Sequence, residues 1–280
     1  MRMMITMAML LSACMVCRAG EVEDAARGIL EKQQKAVVTV QLVVKEKMSF
    51  PGEAGQDNES KMEVTGTVIS PEGLTLVALS DTDRSSMFAN FMPDEMSGQF
   101  KIESVVSDVK ILLDEGKEID AAVVLRDKDL DLAFVRPKAK PEAALAYVDL
   151  SQAGTAQVLD RVVTLNRLGK VGNRTASVSL EYIEAIVSKP RTFYFPGSAA
   201  TMTGTGSPAF TLDGKALGVF VTRTIADKSG GMDMQRVHAV VVLPAADILE
   251  AAQQAPPFGQ EPKEAAPEAA AQQPSPTPEN

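Results

Sequence analysis

Thr203-Gly204-Thr205-Gly206-Ser207-Pro208-Ala209-Phe210-Thr211-Leu212-Asp213-Gly214-Lys215-Ala216-Leu217-Gly218-Val219 sets two turn signals around short apolar runs. Asp213-Gly214, between Phe210 and Leu217, predicts a hairpin, because glycine admits the positive φ that a tight turn needs. Upstream, Gly204 and Gly206 flank Thr205 in a second tight turn. Backbone N–H groups around Thr203, Gly204 and Gly206 can converge there, as an oxyanion hole requires. The same residues also suit a plain hairpin of a β-barrel, and this stretch alone leaves both readings open.

Working outward, short apolar runs rich in β-branched residues recur, separated by turn residues. The alternation predicts strands over 36–44, 62–69, 74–77, 109–113, 121–125, 132–136, 161–165, 176–187, 209–212, 217–222 and 237–242. Ser70-Pro71-Glu72-Gly73 supplies a tight turn between the second and third. Many short strands and few helices predict an all-β sandwich or barrel. A closing helix is expected over 247–252, after Pro244. Residues 80–108 break the rhythm, with Met87, Met92, Met96, Phe88, Phe91 and Phe100 scattered among polar residues. They read as a long loop that packs its own apolar side chains or presents them to a partner.

The ends differ in kind from the middle. Arg2, an apolar run from Met3 to Val16, and small residues around Ala19 form a secretory leader, too short to span a bilayer. Cleavage after Ala19 would remove residues 1–19. Leu11-Ser12-Ala13-Cys14 also resembles a lipoprotein signal, 1–13, with Cys14 as the lipidation candidate. Cys14 and Cys17 are the only cysteines, so the folded domain, 24–254, is expected to hold together by packing alone. An Ala/Pro/Gln-rich tail, 255–280, cannot bury a core and reads as disordered. The net charge of −9 offers phosphates no basic face, so a nucleic-acid partner is not expected, and a membrane is expected only through the lipid anchor.

Three stretches, in order, resemble the HtrA (Deg) branch of the trypsin-like serine proteases. Gly66-Thr67-Val68-Ile69-Ser70-Pro71-Glu72-Gly73-Leu74-Thr75-Leu76-Val77-Ala78-Leu79-Ser80 is similar to the strand–turn–strand that ends in the family's catalytic histidine. Lys110 to Lys117 and Asp129-Leu130-Asp131-Leu132-Ala133-Phe134-Val135 are similar to the segments leading to its triad aspartate. The opening stretch, 203–219, aligns without a gap on the motif that bears the nucleophile, and 238–244 resembles the strand closing the second barrel. The resemblance implies two packed six-stranded Greek-key β-barrels, about 34–140 and 147–246, with a cleft between them. The family's customary PDZ domain is not expected after the barrels, where the Ala/Pro/Gln-rich stretch stands in its place.

On this resemblance the triad positions are Ser80, Asp131 and Thr205, with Thr203, Gly204 and Gly206 at the oxyanion turn. The mechanism needs a base that accepts the nucleophile's proton near neutral pH. Serine at position 80 cannot supply it, and threonine at 205 needs activation and is crowded by its methyl. The one histidine, His238, belongs to a late strand bordering the family's specificity pocket. Asp81 and Asp83 follow Ser80 closely, and a slip in alignment would bring a carboxylate near Thr205, though carboxylates are weak bases toward hydroxyls. One histidine and no core cysteine suggest no metal site, and no cofactor is expected. The resulting expectation is an exported homologue in the periplasm or envelope that binds polypeptide without cleaving it. Val221, Thr222, Arg223 and His238 are the candidate peptide contacts, in a segment 220–224 that matches the family's substrate-pairing strand. The alternatives are an enzyme working through Thr205 and a structural or assembly subunit that engages another envelope protein. The oligomeric state is not legible.

Overall fold

The computed structural model describes residues 20–49, 56–82, 101–197, 204–226 and 236–260. The leader with Cys14, Asp83, Thr203, the Met/Phe-rich segment 83–100 and residues 261–280 lie outside them. An N-terminal helix, α1 (Glu21–Gln33), leads into β1 (Val37–Ser49), β2 (Gln56–Val68), β3 (Thr75–Ala78), β4 (Lys101–Leu112), β5 (Glu118–Asp127) and β6 (Leu132–Pro137). These strands close into a barrel in the order β1-β2-β3-β6-β5-β4. A second barrel follows from β7 (Arg161–Arg167), β8 (Ala176–Val187), β9 (Phe193–Pro196), β10 (Pro208–Thr211), β11 (Ala216–Ala226) and β12 (Arg236–Pro244), in the order β10-β11-β12-β9-β8-β7. A short helix, α2 (Ala245–Ala252), closes the fold. Every pairing between these strands is antiparallel, as the all-β, two-barrel expectation requires.

Some strands, β3 and β6 among them, read as nearly continuous apolar runs because they are buried on both faces. Side chains alternate across a strand, so neighbours face different cores. In β6, Ala133 and Val135 fill the first barrel with Val40, Leu42 and Ile111. Leu132 and Phe134 turn outward into a cluster that also holds Val163 and Leu165 of β7 and Val241 and Leu243 of β12. Val162, Leu217, Phe220 and Val242 fill the second barrel. The shared cluster takes in Ala26 and Ile29 of α1 and Ile248 of α2, so both helices cover its margin. Each fully buried Leu or Phe contributes about 1.5–3 kcal/mol, which makes this layer the main adhesive between the barrels.

Three features depart from the sequence reading. Residues 101–108, expected within an irregular loop, extend β4 and pair with β1 from Lys101 opposite Ser49 to Asp108 opposite Val43, with a bulge between Val43 and Val44. From Ser104 to Asp108 the ladder is only partly covered, with Val105 exposed, so a polar sequence here does not mean the absence of a strand. β9 was not expected, because Phe193-Tyr194-Phe195-Pro196 is aromatic on both faces and gives no alternation. Beyond α2 the packed chain continues past residue 254: Ala255 joins the shared cluster and Phe258 lies under Arg136, 5.0 Å from guanidinium carbon to ring centre. An Ala/Pro/Gln-rich composition hides this single aromatic anchor.

Candidate functional site

Asp131 organises the first barrel's side of the cleft. It follows an Asp127 turn, whose carboxylate accepts the Leu130 amide at 3.0 Å, and takes a left-handed backbone with φ of 59°. Aspartate tolerates that conformation better than most residues. Its carbonyl accepts the Leu79 amide at 3.0 Å, and its carboxylate accepts the Ser80 amide at 2.7 Å and the Ser80 hydroxyl at 3.0 Å. A short helical turn, Leu79–Asp81, is thereby clamped at the end of β3. The remaining contact crosses the cleft, where the Thr222 amide of β11 donates to Asp131 Oδ2 at 2.7 Å.

The second barrel's side is the turn of the opening motif. Gly206 has φ of 81°, and its amide donates to the Phe220 carbonyl at 2.8 Å. The Phe220 amide donates in turn to Ser207 at 2.9 Å. A Cβ at Gly206 would stand 2.2 Å from the Thr65 carbonyl oxygen, so only glycine fits. The Thr67 hydroxyl reaches across from the first barrel to the Gly206 carbonyl at 2.7 Å. This turn therefore presses against the other barrel through its backbone. Downstream, the Asp213-Gly214 hairpin forms as expected, with the Thr211 amide on the Lys215 carbonyl at 3.0 Å.

The side chains meet in an arrangement the motifs alone do not give. Thr205 does not address Ser80: its hydroxyl donates to the carboxylate of Asp81, the next residue. Two carboxylates thus bridge the barrels side by side, Asp131 to Thr222 and Asp81 to Thr205. Neither has a basic partner among the described residues. Burial pushes the Asp131 carboxyl up to about 6, overriding three donated hydrogen bonds, and the Asp81 charge adds to the rise. Burial also raises Asp81, against the opposing effect of the Thr205 hydrogen bond.

The remaining candidates scatter. Val221 is buried in the shared cluster, and its backbone pairs with Val241, so it cannot contact a peptide in the cleft. Phe220 is likewise committed to Gly206 and Ser207, which shortens the candidate edge to Thr222 and beyond. Arg223 hydrogen-bonds the Asp129 carbonyl and lies over Phe193, 4.7 Å from the ring centre. His238 stands opposite Thr224 in the β11–β12 ladder, on the neighbouring strand rather than at the corner held by Asp131. Thr203 lies outside the described residues, whereas Gly204 accepts the Ser207 amide at 3.3 Å. Among the described residues no three metal-ligating side chains come together. The contact that the motif alignment does not give directly is Asp81–Thr205; the sequence admits it only as a slip that would bring Asp81 or Asp83 near Thr205, and the structure has Asp81 there.

The family described as "Trypsin-like peptidase domain" matches residues 64–219, which include Ser80, Asp131 and Thr205. A "Probable periplasmic serine endoprotease DegP-like" of Rhizobium meliloti (strain 1021) is 30% identical over 151 residues, 52% of this chain and 29% of that protein. A protein of the same description from Brucella suis biovar 1 (strain 1330) is 32% identical over 132 residues, 45% of this chain and 25% of that protein. The chain thus spans less than a third of the length of the curated relatives it matches. Among solved structures, the MamO protease domain from Magnetospirillum magneticum in its apo form superposes with a TM-score of 0.48 at 12% identity, over 78% of this chain and 96% of that one. With more than half of its residues matched, the chain belongs to the trypsin-like peptidase domain family.

Proposed function

We propose that this domain binds extended polypeptide in the cell envelope without hydrolysing it. The observation that carries the reading is the pairing at the triad positions. Ser80 faces Asp131, and the Thr205 hydroxyl is held by Asp81. Peptide hydrolysis needs a group that takes the nucleophile's proton and later delivers it to the leaving amine. A serine hydroxyl cannot do this at neutral pH. A carboxyl, even one raised by burial, remains many units below the proton affinity of an alkoxide, and each unit adds about 1.4 kcal/mol to the transfer.

Binding capacity is a separate matter from chemistry. On its cleft side β11 is tied to Gly206 and Ser207 at Phe220 and to Asp131 at Thr222. Beyond that point the strand runs to Ala226 with no second strand partner among the described residues. Peptide groups alternate in direction along a strand, so Thr224 faces the same side as Phe220 and Thr222. An extended chain added there would complete the ladder. The curated relatives are described as periplasmic, which, with the apolar leader, supports an exported protein.

The Asp81–Thr205 contact favours one competing reading, an enzyme in which Asp81 serves as base. The test is hydrolysis of fluorescent casein by the full chain and by Thr205→Ala, with anisotropy measured on extended peptides. The expected result is no cleavage by either protein and saturable peptide binding by both. Cleavage lost in Thr205→Ala would overturn the proposal and establish the enzyme. Absence of peptide binding would instead point to a purely structural role.

A further inference from the structure

A cavity of about 380 Å³ is lined by residues 62–65 and Asp81 of the first barrel and by residues 166–169, Gly204 and Thr205 of the second. Its size falls in the range of small-ligand clefts. Charge accounting around its walls leaves one group unmatched. Glu63 is bonded twice to Arg174, at 2.6 and 3.0 Å, which holds its carboxyl below the ordinary range. Arg167, the cation on the wall itself, is committed to the carbonyls of Val37, Gln34 and Arg174 and to the Asp114 carboxylate at 2.7 Å. Asp81 has only the Thr205 hydroxyl, with no cation within ion-pair distance among the described residues. A largely buried carboxylate without a counter-charge is costly and strengthens any cation that reaches it.

The other walls suit a long basic side chain. Met62, Val64 and Leu168 supply apolar surface for methylenes. Thr65 and Thr205 add hydroxyl oxygens that can accept from an ammonium beside the Asp81 carboxylate. The cavity also communicates with the binding edge through a single turn. Gly206 is bonded to Phe220, just before the free part of β11, and Thr205 forms part of the cavity wall. Thr205, one residue before Gly206, thus belongs both to the cavity wall and to the turn that meets β11.

We infer that this cavity is a subsite for a lysine or arginine side chain of the bound polypeptide, with the Asp81 carboxylate as its counter-ion. The inference rests on the polypeptide-binding reading. It adds a selectivity that the backbone pairing of β11 lacks, since strand addition is indifferent to side-chain charge. Anisotropy of the full chain with matched extended peptides, carrying lysine or acetyl-lysine at successive positions, tests it. Lysine at one position is expected to bind about tenfold more tightly than acetyl-lysine, in line with a charge-assisted hydrogen bond. Asp81→Asn, which still accepts from Thr205, is expected to erase that difference. If Asp81→Asn does not fold, carboxyl NMR of the wild-type protein decides. The lysine peptide lowers the Asp81 titration and the acetylated one does not. Equal binding of both peptides, or a preference that survives Asp81→Asn, would overturn the subsite and leave peptide binding intact. Binding of neither would overturn both readings.

Discussion

The two sides of the cleft are built on different grounds. On the second barrel, the Gly204–Ser207 turn is fixed by backbone: Gly206 meets the Thr65 carbonyl, accepts from Thr67 and donates to Phe220. On the first barrel, the Leu79–Asp81 corner is fixed by side-chain carboxylates, Asp131 on Ser80 and Asp81 on Thr205. Gly206, which reads as part of an oxyanion turn, has an explanation in packing, since it lets one barrel press against the other. The corner opposite holds no imidazole. A motif can therefore stay in shape for the sake of the fold while the chemistry it resembles lacks a member. If this contrast is right, the turn should be intolerant of added atoms whatever the catalytic state, and the corner should respond chiefly to charge.

The largest effect is expected from Gly206→Ala. The new methyl would fall 2.2 Å from a backbone oxygen, at a φ of 81° that L residues rarely adopt, and the opposing atom cannot rotate away. A destabilisation of about 4 kcal/mol or more, or failure to accumulate folded protein, is expected. Urea unfolding measures it. A loss below about 1 kcal/mol would mean that the turn is not what joins the barrels, and the contrast would fail.

Next is the charge of Asp131. Its carboxyl titrates near 3.8 when unfolded and is raised to about 6 in the fold. The folded state therefore binds the proton more tightly, so this group favours folding fully below about pH 4 and loses that contribution as pH rises through 6. The change is on the order of 3 kcal/mol. Asp81 and Glu181, raised by burial, act with the same sign, whereas Glu63, lowered by Arg174, acts oppositely. Comparing wild type with Asp131→Asn isolates one term: urea midpoints from pH 4 to 7 should fall less steeply in the variant. Parallel slopes would show that Asp131 is no more buried, electrostatically, than a surface carboxylate.

Much of this was legible in the sequence, and the reason is physical. Two-period alternation and turn residues located eleven of the twelve strands, because those strands present at least one face to a core. The polar half of β4 and the four-residue aromatic β9 carry no such pattern, so tertiary pairing alone defines them. Ser80, Asp131 and Thr205 stand in order along the motifs, but order does not determine which side chains touch. Thr205 and Asp81 are far apart in the chain, and their bond depends on how the barrels dock. Likewise the unmatched charge of Asp81 emerges only after Glu63 and Arg167 are seen to be satisfied elsewhere.

Ser80→Ala is expected to have the smallest effect and to sharpen the contrast most. The substitution removes one of three hydrogen bonds to the Asp131 carboxylate and leaves the two amides of Ser80 and Thr222 in place. At pH 7 the loss should be about 1 kcal/mol. A donor stabilises a carboxylate more than a carboxylic acid, so the cost should shrink at pH 4, and the Asp131 titration should move higher still. Urea unfolding at both pH values, with carboxyl NMR for the titration, reads the two effects together. A brace on a charge behaves in this way. A serine acting in proton transfer would instead reveal itself in turnover of casein, leaving the pH dependence of stability almost untouched.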